Sequence, residues 1–298
     1  MNQQLSNALF LLPNHLQKVI LHCDFAQQTI TEEIRLRIGK CMSLLVANKE
    51  ISLNSETICG QDLQVVLDRA TEFSAYRCAE SIRNGYITVQ GGCRIGLCGT
   101  AILRNDKIAT LQDISSLAIR LAKEIHGAAD EVYPQLWQDD VFKNTLLIAP
   151  PGGGKTTLLR DLIRCLSDGD DTHNGLRLAV VDERCEIAAM HHGVPQFSLG
   201  RHTDILSGAA KAEGISMVLR SMNPEVIAVD EITTPEDIRV MEMASNCGVS
   251  FLATVHGQDL QEIKNRKICR ALLEADIFHQ FVILERREGK RYFRVEQC

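Results

Sequence analysis

Apolar and polar positions follow two periods along this chain, and the places where the period changes predict its organisation. Ile34 to Ile38 alternates apolar and charged side chains, the period of a half-buried strand. Tyr86 to Gln90 and Cys93 to Cys98 read as two more strands around Gly91 and Gly92, which predicts a hairpin. Between them Leu63 to Ile82 carries a helical period through Leu63, Val66, Leu67, Ala70 and Phe73, with Ala75 to Arg77 near its end. Ser116 to Ile125 reads as a strand or edge segment leading into a helix, and Ala128 to Trp137 completes the connection. These elements predict a small α+β domain over residues 1–140, closed by the polar link Gln138 to Lys143.

From Asn144 onward short, wholly apolar runs alternate with amphipathic ones. Thr145 to Ala149 is an apolar strand, and Thr156 to Leu166 is a helix with Leu158, Leu159, Leu162, Ile163 and Leu166 on one face. The polar stretch Ser167 to Gly175 links it to a strand over Leu176 to Val181. Val226 to Val229 is a fully buried strand. Thr234 then caps a helix with Pro235 at its first position and Asp237 three residues after the cap. Gly248 ends that helix, Val249 to Val255 is another strand, and Gln280 to Glu285 pairs with Arg291 to Val295 through Glu288 to Lys290. Strands alternating with helices predict an α/β domain over residues 141–298, with a mostly parallel sheet covered on both faces.

The chemistry concentrates where the first of these strands meets its helix. Ala149, Pro150, Pro151, Gly152, Gly153, Gly154, Lys155 and Thr156, with Thr157 behind them, match a phosphate-binding loop. Three glycines let successive backbone N–H groups converge on one phosphate. Lys155 is spaced to reach the β and γ phosphates and the Thr156 hydroxyl to ligate Mg²⁺, while the helix N-terminus adds partial positive charge. Asp230 and Glu231 end a buried strand, the place where such nucleotide hydrolases keep a Mg²⁺-orienting Asp and a water-polarising Glu. A second acidic cluster, Asp182, Glu183 and Glu186, follows the strand ending at Val181 and would face the same crevice, or be solvated loop charge. His256, at the end of the strand after the acid pair, is placed to sense a γ phosphate by hydrogen bonding. ATP with Mg²⁺ is the ligand these residues predict.

Composition narrows the alternatives. A net charge of −6 argues against general wrapping of nucleic acid. No apolar run approaches the roughly 20 residues that cross a bilayer. Ala8 to Leu12 is too short and no Lys or Arg occurs before Lys18, so an intracellular, cytoplasmic protein is expected. The 11 cysteines include no Cys-x-x-Cys pair; Cys93 and Cys98 lie nearest, without two further ligands to make a zinc site.

The order of phosphate loop, Asp182-Glu183-x-x-Glu186, Asp230-Glu231 and Thr254-x-His256-Gly257 resembles the four boxes of the type II and type IV secretion ATPases. Glu32 to Arg37, Gly85 to Gly96, Lys211 to Gly214 and Arg220 to Ile232 narrow the likeness to the stage III sporulation protein AA family. That resemblance covers nearly the whole chain. It implies a RecA-like ATPase domain behind a smaller N-terminal domain, assembly into a homo-hexamer, and membrane-embedded sporulation channel proteins as partners. It further implies work in the mother-cell cytoplasm, energising a channel toward the forespore. It also implies that N-terminal arginines reach the γ phosphate; Arg94 and Arg120 match those positions best, and either could equally be a solvated strand charge. Ala149 replaces the usual first Gly of the loop. Ile232 and Thr233 stand where a Gly commonly follows the acidic strand.

Two other readings compete. Lys264, Arg266, Lys267 and Arg270, with Arg286, Arg287, Lys290, Arg291 and Arg294, would suit a nucleic-acid motor, although Glu285, Glu288 and Glu296 dilute that patch and favour a solvated face or a contact with an acidic partner or membrane surface. A nucleotide-gated scaffold with little turnover is the other.

Overall fold

Helices α1 (Gln3–Leu11), α2 (Asn14–Leu21) and α3 (Phe25–Ile30) precede strands β1 (Thr31–Arg37), β2 (Cys41–Val46) and β3 (Lys49–Thr57). Helices α4 (Gly60–Ala70) and α5 (Ala79–Arg83) then lead to β4 (Tyr86–Thr88), β5 (Arg94–Arg104) and β6 (Lys107–Arg120). The computed structural model describes residues 3–47, 49–73, 79–83, 85–122, 124–287 and 290–297. The chain divides into two units, residues 1–123 with 189–196, and residues 124–188 with 197–298.

In the first unit the six strands form one antiparallel sheet in the order β3-β2-β1-β6-β5-β4. The alternation read at Ile34 and Leu36 puts both into the core beside Ile95, Leu117 and Ile119, packed with Leu16, Leu63 and Val66 from the helices. The hairpin around Gly91 and Gly92 forms, with φ of 82° and 77° that only glycine adopts freely. The helix expected over Leu63 to Ile82 is interrupted. It stops at Ala70, where the Thr71 hydroxyl donates to the Leu67 carbonyl at 2.9 Å, and Glu72 and Phe73 turn left-handed at φ 50° and 59°. Phe73, expected on the buried face, is 82 % exposed. Ala75 to Arg77 lie outside the described residues.

Strand β6 leads into no helix among the described residues 121–132; the chain bends there, with Gly127 at φ +81°. The division between the units accordingly falls at 123/124 and not in the Gln138 to Lys143 link. Glu124 accepts from the Ser198 N–H at 2.7 Å, the Ala129 N–H donates to Asp161 at 2.9 Å, and the Gln135 carbonyl accepts from the Gln280 amide at 3.0 Å. Those bonds fix residues 124–135 to the second unit, and β7 (Trp137–Gln138) pairs with β8 (Val141–Phe142) inside the predicted link.

The second unit continues through β9 (Thr145–Ala149), α6 (Lys155–Asp168), β10 (Leu178–Asp182), β11 (Thr203–Ser207), α7 (Lys211–Ser221), β12 (Val226–Val229) and α8 (Pro235–Ser245). Strand β13 (Ser250–His256), α9 (Leu260–Lys264), α10 (Lys267–Glu274), β14 (Gln280–Arg287) and β15 (Lys290–Gln297) complete it. Its sheet has the order β11-β10-β12-β13-β9-β14-β15, parallel throughout except for the terminal β14–β15 pair. The apolar runs are buried on both faces, as a covered parallel sheet requires. Leu146, Ile148, Val181, Ile227, Phe251 and Ile283 pack with Ile215 of α7, Met241 of α8 and Leu272 of α10. The intervening residues Leu147, Val180, Ala228 and Leu252 are equally buried on the opposite face, where α6 packs. Strands β12, β13 and β9 are adjacent and parallel, so their carboxyl ends open side by side.

Candidate active site

Register alone assembles most of the site. His256 is the Cα partner of Ala149 across β13 and β9, and the Gly257 N–H donates to the Ala149 carbonyl at 3.1 Å. Val229 pairs with Ala253, which sets Asp230 and Glu231 beside the same edge. The loop after β9 passes through Gly152 at φ +72° and Gly154 at φ +95°, so that Lys155 opens α6. A side chain at Gly154 would be strained by that φ, and its Cβ would lie 3.1 Å from the Arg291 guanidinium carbon. The loop lines a cavity of about 410 Å³ with Arg184, Glu186, Asp230, Glu231, His256 and Arg291.

Inside it, the polar groups form one connected network. The Thr156 hydroxyl donates to Asp230 Oδ2 at 3.0 Å. The Thr254 hydroxyl donates to Asp230 Oδ1 at 2.5 Å and accepts from the Glu231 N–H at 2.9 Å. Thr254 is fully buried between the apolar residues Ala253 and Val255, so its hydroxyl is anchored, and it fixes the acid pair. Glu231 adopts φ 50°, a left-handed conformation unusual for a non-glycine residue. Its carboxylate accepts from Arg184 Nη1 at 2.6 Å and lies 3.2 Å from His256 Nε2. Lys155 Nζ is 2.6 Å from His256 Nδ1. Past Glu231, where sequence placed Ile232 in place of a Gly, the Ile232 N–H donates to the Thr254 carbonyl at 3.0 Å and its side chain enters the core.

Burial pushes the Lys155 pKa down, opposed by the Asp230, Glu231 and Glu186 carboxylates. The sign of the consequence follows. Between the lowered pKa and its ordinary value of 10.5 the unfolded chain binds more protons at this group than the folded one, so this contribution to apo stability improves as pH rises through that window. An anionic ligand favours the ammonium and reverses the effect: nucleotide binding at alkaline pH should take up protons. Calorimetry in buffers of different ionisation enthalpy should show that uptake in the wild type and lose it in Lys155→Met.

The second acidic cluster divides. Asp182 is buried and accepts from the N–H groups of Glu186, Ile187 and Ala188 at 2.8, 3.1 and 2.9 Å. Burial raises its pKa, while the same three N–H groups pull it down. Asp182 thus shapes the turn, which passes through Cys185 at φ 55° and carries Glu186 to the cavity. Glu183 points away into an ion pair with buried Lys211 and does not line the cavity. Arg160 stacks over Phe197 and donates to the carbonyls of Ile187 and Glu186, holding the far side of that turn.

Arg94 and Arg120 belong to the first unit, where they are direct partners across β5 and β6. Arg120 donates to Glu33 at 3.1 Å, and Arg94 lies 3.6 Å over the Tyr86 ring. Arg291 is the site residue that sequence reasoning grouped with a solvated basic patch. Its neighbours differ: Arg266 donates to the His256 carbonyl at 2.8 Å, and Arg294 pairs with Glu296 at 3.1 Å. Side chains of Arg286, Arg287 and Lys290 lie outside the described residues.

A phosphate-type loop, a strand-end acid pair and a strand-end histidine meeting at the carboxyl edge of a mostly parallel sheet, in a chain that also carries a separate antiparallel unit, define the RecA-like fold of the secretion ATPases. The ATPase DotB of Legionella pneumophila superposes with a TM-score of 0.61 over 96 % of this chain and 80 % of its own, at 14 % identity. The pilus retraction motor PilT bound to ADP does so at 0.60 over 91 % and 80 %, also at 14 % identity. The family described as Sporulation stage III, protein AA matches residues 2–294, and stage III sporulation protein AA of Bacillus subtilis (strain 168) is 36 % identical over 94 % of this chain and 90 % of its own. The chain belongs to the sporulation stage III protein AA family.

Proposed function

We propose that the chain is a Mg²⁺-dependent ATP hydrolase that assembles as a homo-hexamer and energises a secretion-like channel complex between mother cell and forespore. The observation that carries the reading is the network joining Lys155, Thr156, Asp230, Glu231 and His256 around one cavity. Backbone N–H groups of 152–157 and the Lys155 ammonium neutralise phosphate charge. Thr156 and Asp230 offer oxygen donors 3.0 Å apart, the hard ligands that suit Mg²⁺, which when bound neutralises charge on the phosphate oxygens. Glu231, steadied by Arg184 and His256, orients the attacking water and accepts its proton. Glu186, rather than Glu183, is the further acid that faces the cavity. Arg94 and Arg120 are proposed to reach the γ phosphate within the assembled ring, in the mother-cell cytoplasm.

Arg291 is assigned here to phosphate binding. Removing a hydrogen bond to a charged group costs about 1.5 kcal/mol at the low end, roughly tenfold in affinity. Arg291→Ala should weaken ATP binding by about that factor in titration, and Arg291→Lys should recover part of it, lacking the forked geometry. The hexamer reading is tested by measuring ATPase rate against protein concentration together with mass in solution. Specific activity should climb as the hexamer appears, whereas a monomer of constant specific activity contradicts it.

A further inference from the structure

We propose that Glu72, His191 and His192 bind a divalent late-transition-metal ion of the zinc class, at a site in the first unit separate in chemistry from the nucleotide cavity. Glu72 comes from 119 residues earlier in the chain than the adjacent pair His191 and His192, and the three side chains converge on one point. His192 Nε2 lies 3.2 Å and His191 Nε2 3.7 Å from the same Glu72 oxygen. One ligand atom from each residue lies within 4.8 Å of the other two. Metal–ligand bonds of about 2.0 Å at the tetrahedral angle need ligand atoms about 3.3 Å apart, so the two histidine–glutamate distances are close to a coordination edge.

The backbone holds the histidines at that spacing. His191 and Val194 exchange two hydrogen bonds of 2.9 Å across a tight turn, with His192 at φ 49° and Gly193 at φ 78°. Positive φ at both central residues is the type I′ geometry. Gln196 pins the turn to the first unit, accepting from the Gly91 N–H at 2.7 Å while its amide donates to the Val194 carbonyl at 2.9 Å. Glu72 is fixed just past the end of α4 by the left-handed turn already described.

Two imidazole nitrogens and one carboxylate oxygen are borderline ligands. They suit Zn²⁺, Co²⁺, Ni²⁺ or Cu²⁺, whereas Mg²⁺ and Ca²⁺ demand oxygen sets. Glu72 and His191 also line a cavity of about 630 Å³, which leaves room for water as a fourth ligand. A bound ion would clamp residues 189–196 to the end of α4.

The test uses the full chain, stripped with EDTA and titrated with Co²⁺ and then Zn²⁺. One saturable d–d absorption without a thiolate charge-transfer band is expected, displaced by Zn²⁺ and accompanied by a rise in melting temperature. His192→Asn, chosen because Asn tolerates the left-handed backbone, and Glu72→Gln should bind Zn²⁺ more than roughly tenfold more weakly while keeping the EDTA-state circular dichroism. X-ray absorption of the zinc-loaded wild type, which needs no variant to fold, should show only nitrogen and oxygen at about 2.0–2.1 Å. Absence of saturable binding, a sulfur shell at about 2.3 Å, or unchanged affinity in His192→Asn each overturns the proposal.

Discussion

Glu231→Gln is expected to cut ATP turnover by roughly 100- to 10,000-fold, the range that a positioned general base contributes, while leaving ATP affinity within a few-fold of the wild type. The amide is isosteric, so the Thr254 anchor on the residue 231 N–H survives. What is lost is a carboxylate able to orient water and take its proton, held by Arg184 on one oxygen and beside His256 on the other. A variant with depressed kcat and intact binding in a fluorescent-nucleotide titration matches this account. Unchanged turnover removes Glu231 from the role.

Lys155→Ala should lower kcat/KM by at least roughly 100-fold, about 2.7 kcal/mol of transition-state stabilisation, the scale on which single preorganised charge-stabilising donors act. Here the loss should appear in binding as well, because the ammonium faces phosphate in ground and transition states alike. Lys155 is 7 % exposed, and burial lowers its pKa, so the folded apo chain carries the charge at a cost. Removing it should therefore leave the apo melting temperature unchanged or raise it. Coincident loss of activity and of folding would point to a packing role instead, and circular dichroism melting alongside the rate assay distinguishes the two.

What could be read from sequence depended on how local the determining interactions are. The loop from Ala149 to Thr157, the acid pair and His256 were legible because each is a strand ending. Wholly apolar runs fix where parallel strands lie, and parallel strands must end together. Thr254 carried a weaker signal, a hydroxyl between apolar neighbours in the buried middle of its strand, but its grip on Asp230 and Glu231 is a tertiary contact that no sequence pattern announces. Choosing Glu186 over Glu183 depended on a left-handed turn at Cys185, which no side-chain pattern announces. Arg291 reaches the loop because β14 pairs with β9 and carries β15 beside it, a nonlocal strand order. In the first unit β2 and β3 went unread, as did the outer part of the β5–β6 ribbon, whose residues 100–104 are exposed and supply little apolar alternation. The return of 189–196 to the first unit rests on Gln196 and Gly91, residues whose pairing leaves no periodicity at all.

Inorganic phosphate release by the full chain with ATP and Mg²⁺, compared with the Glu231→Gln variant at matched nucleotide occupancy, tests the central claim most directly. The account predicts steady release by the wild type, abolished by chelating Mg²⁺, and a variant that binds ATP but releases phosphate at least roughly 100-fold more slowly. Equal release by the two proteins, or tight ATP binding by the wild type without any release in its assembled state, would contradict it.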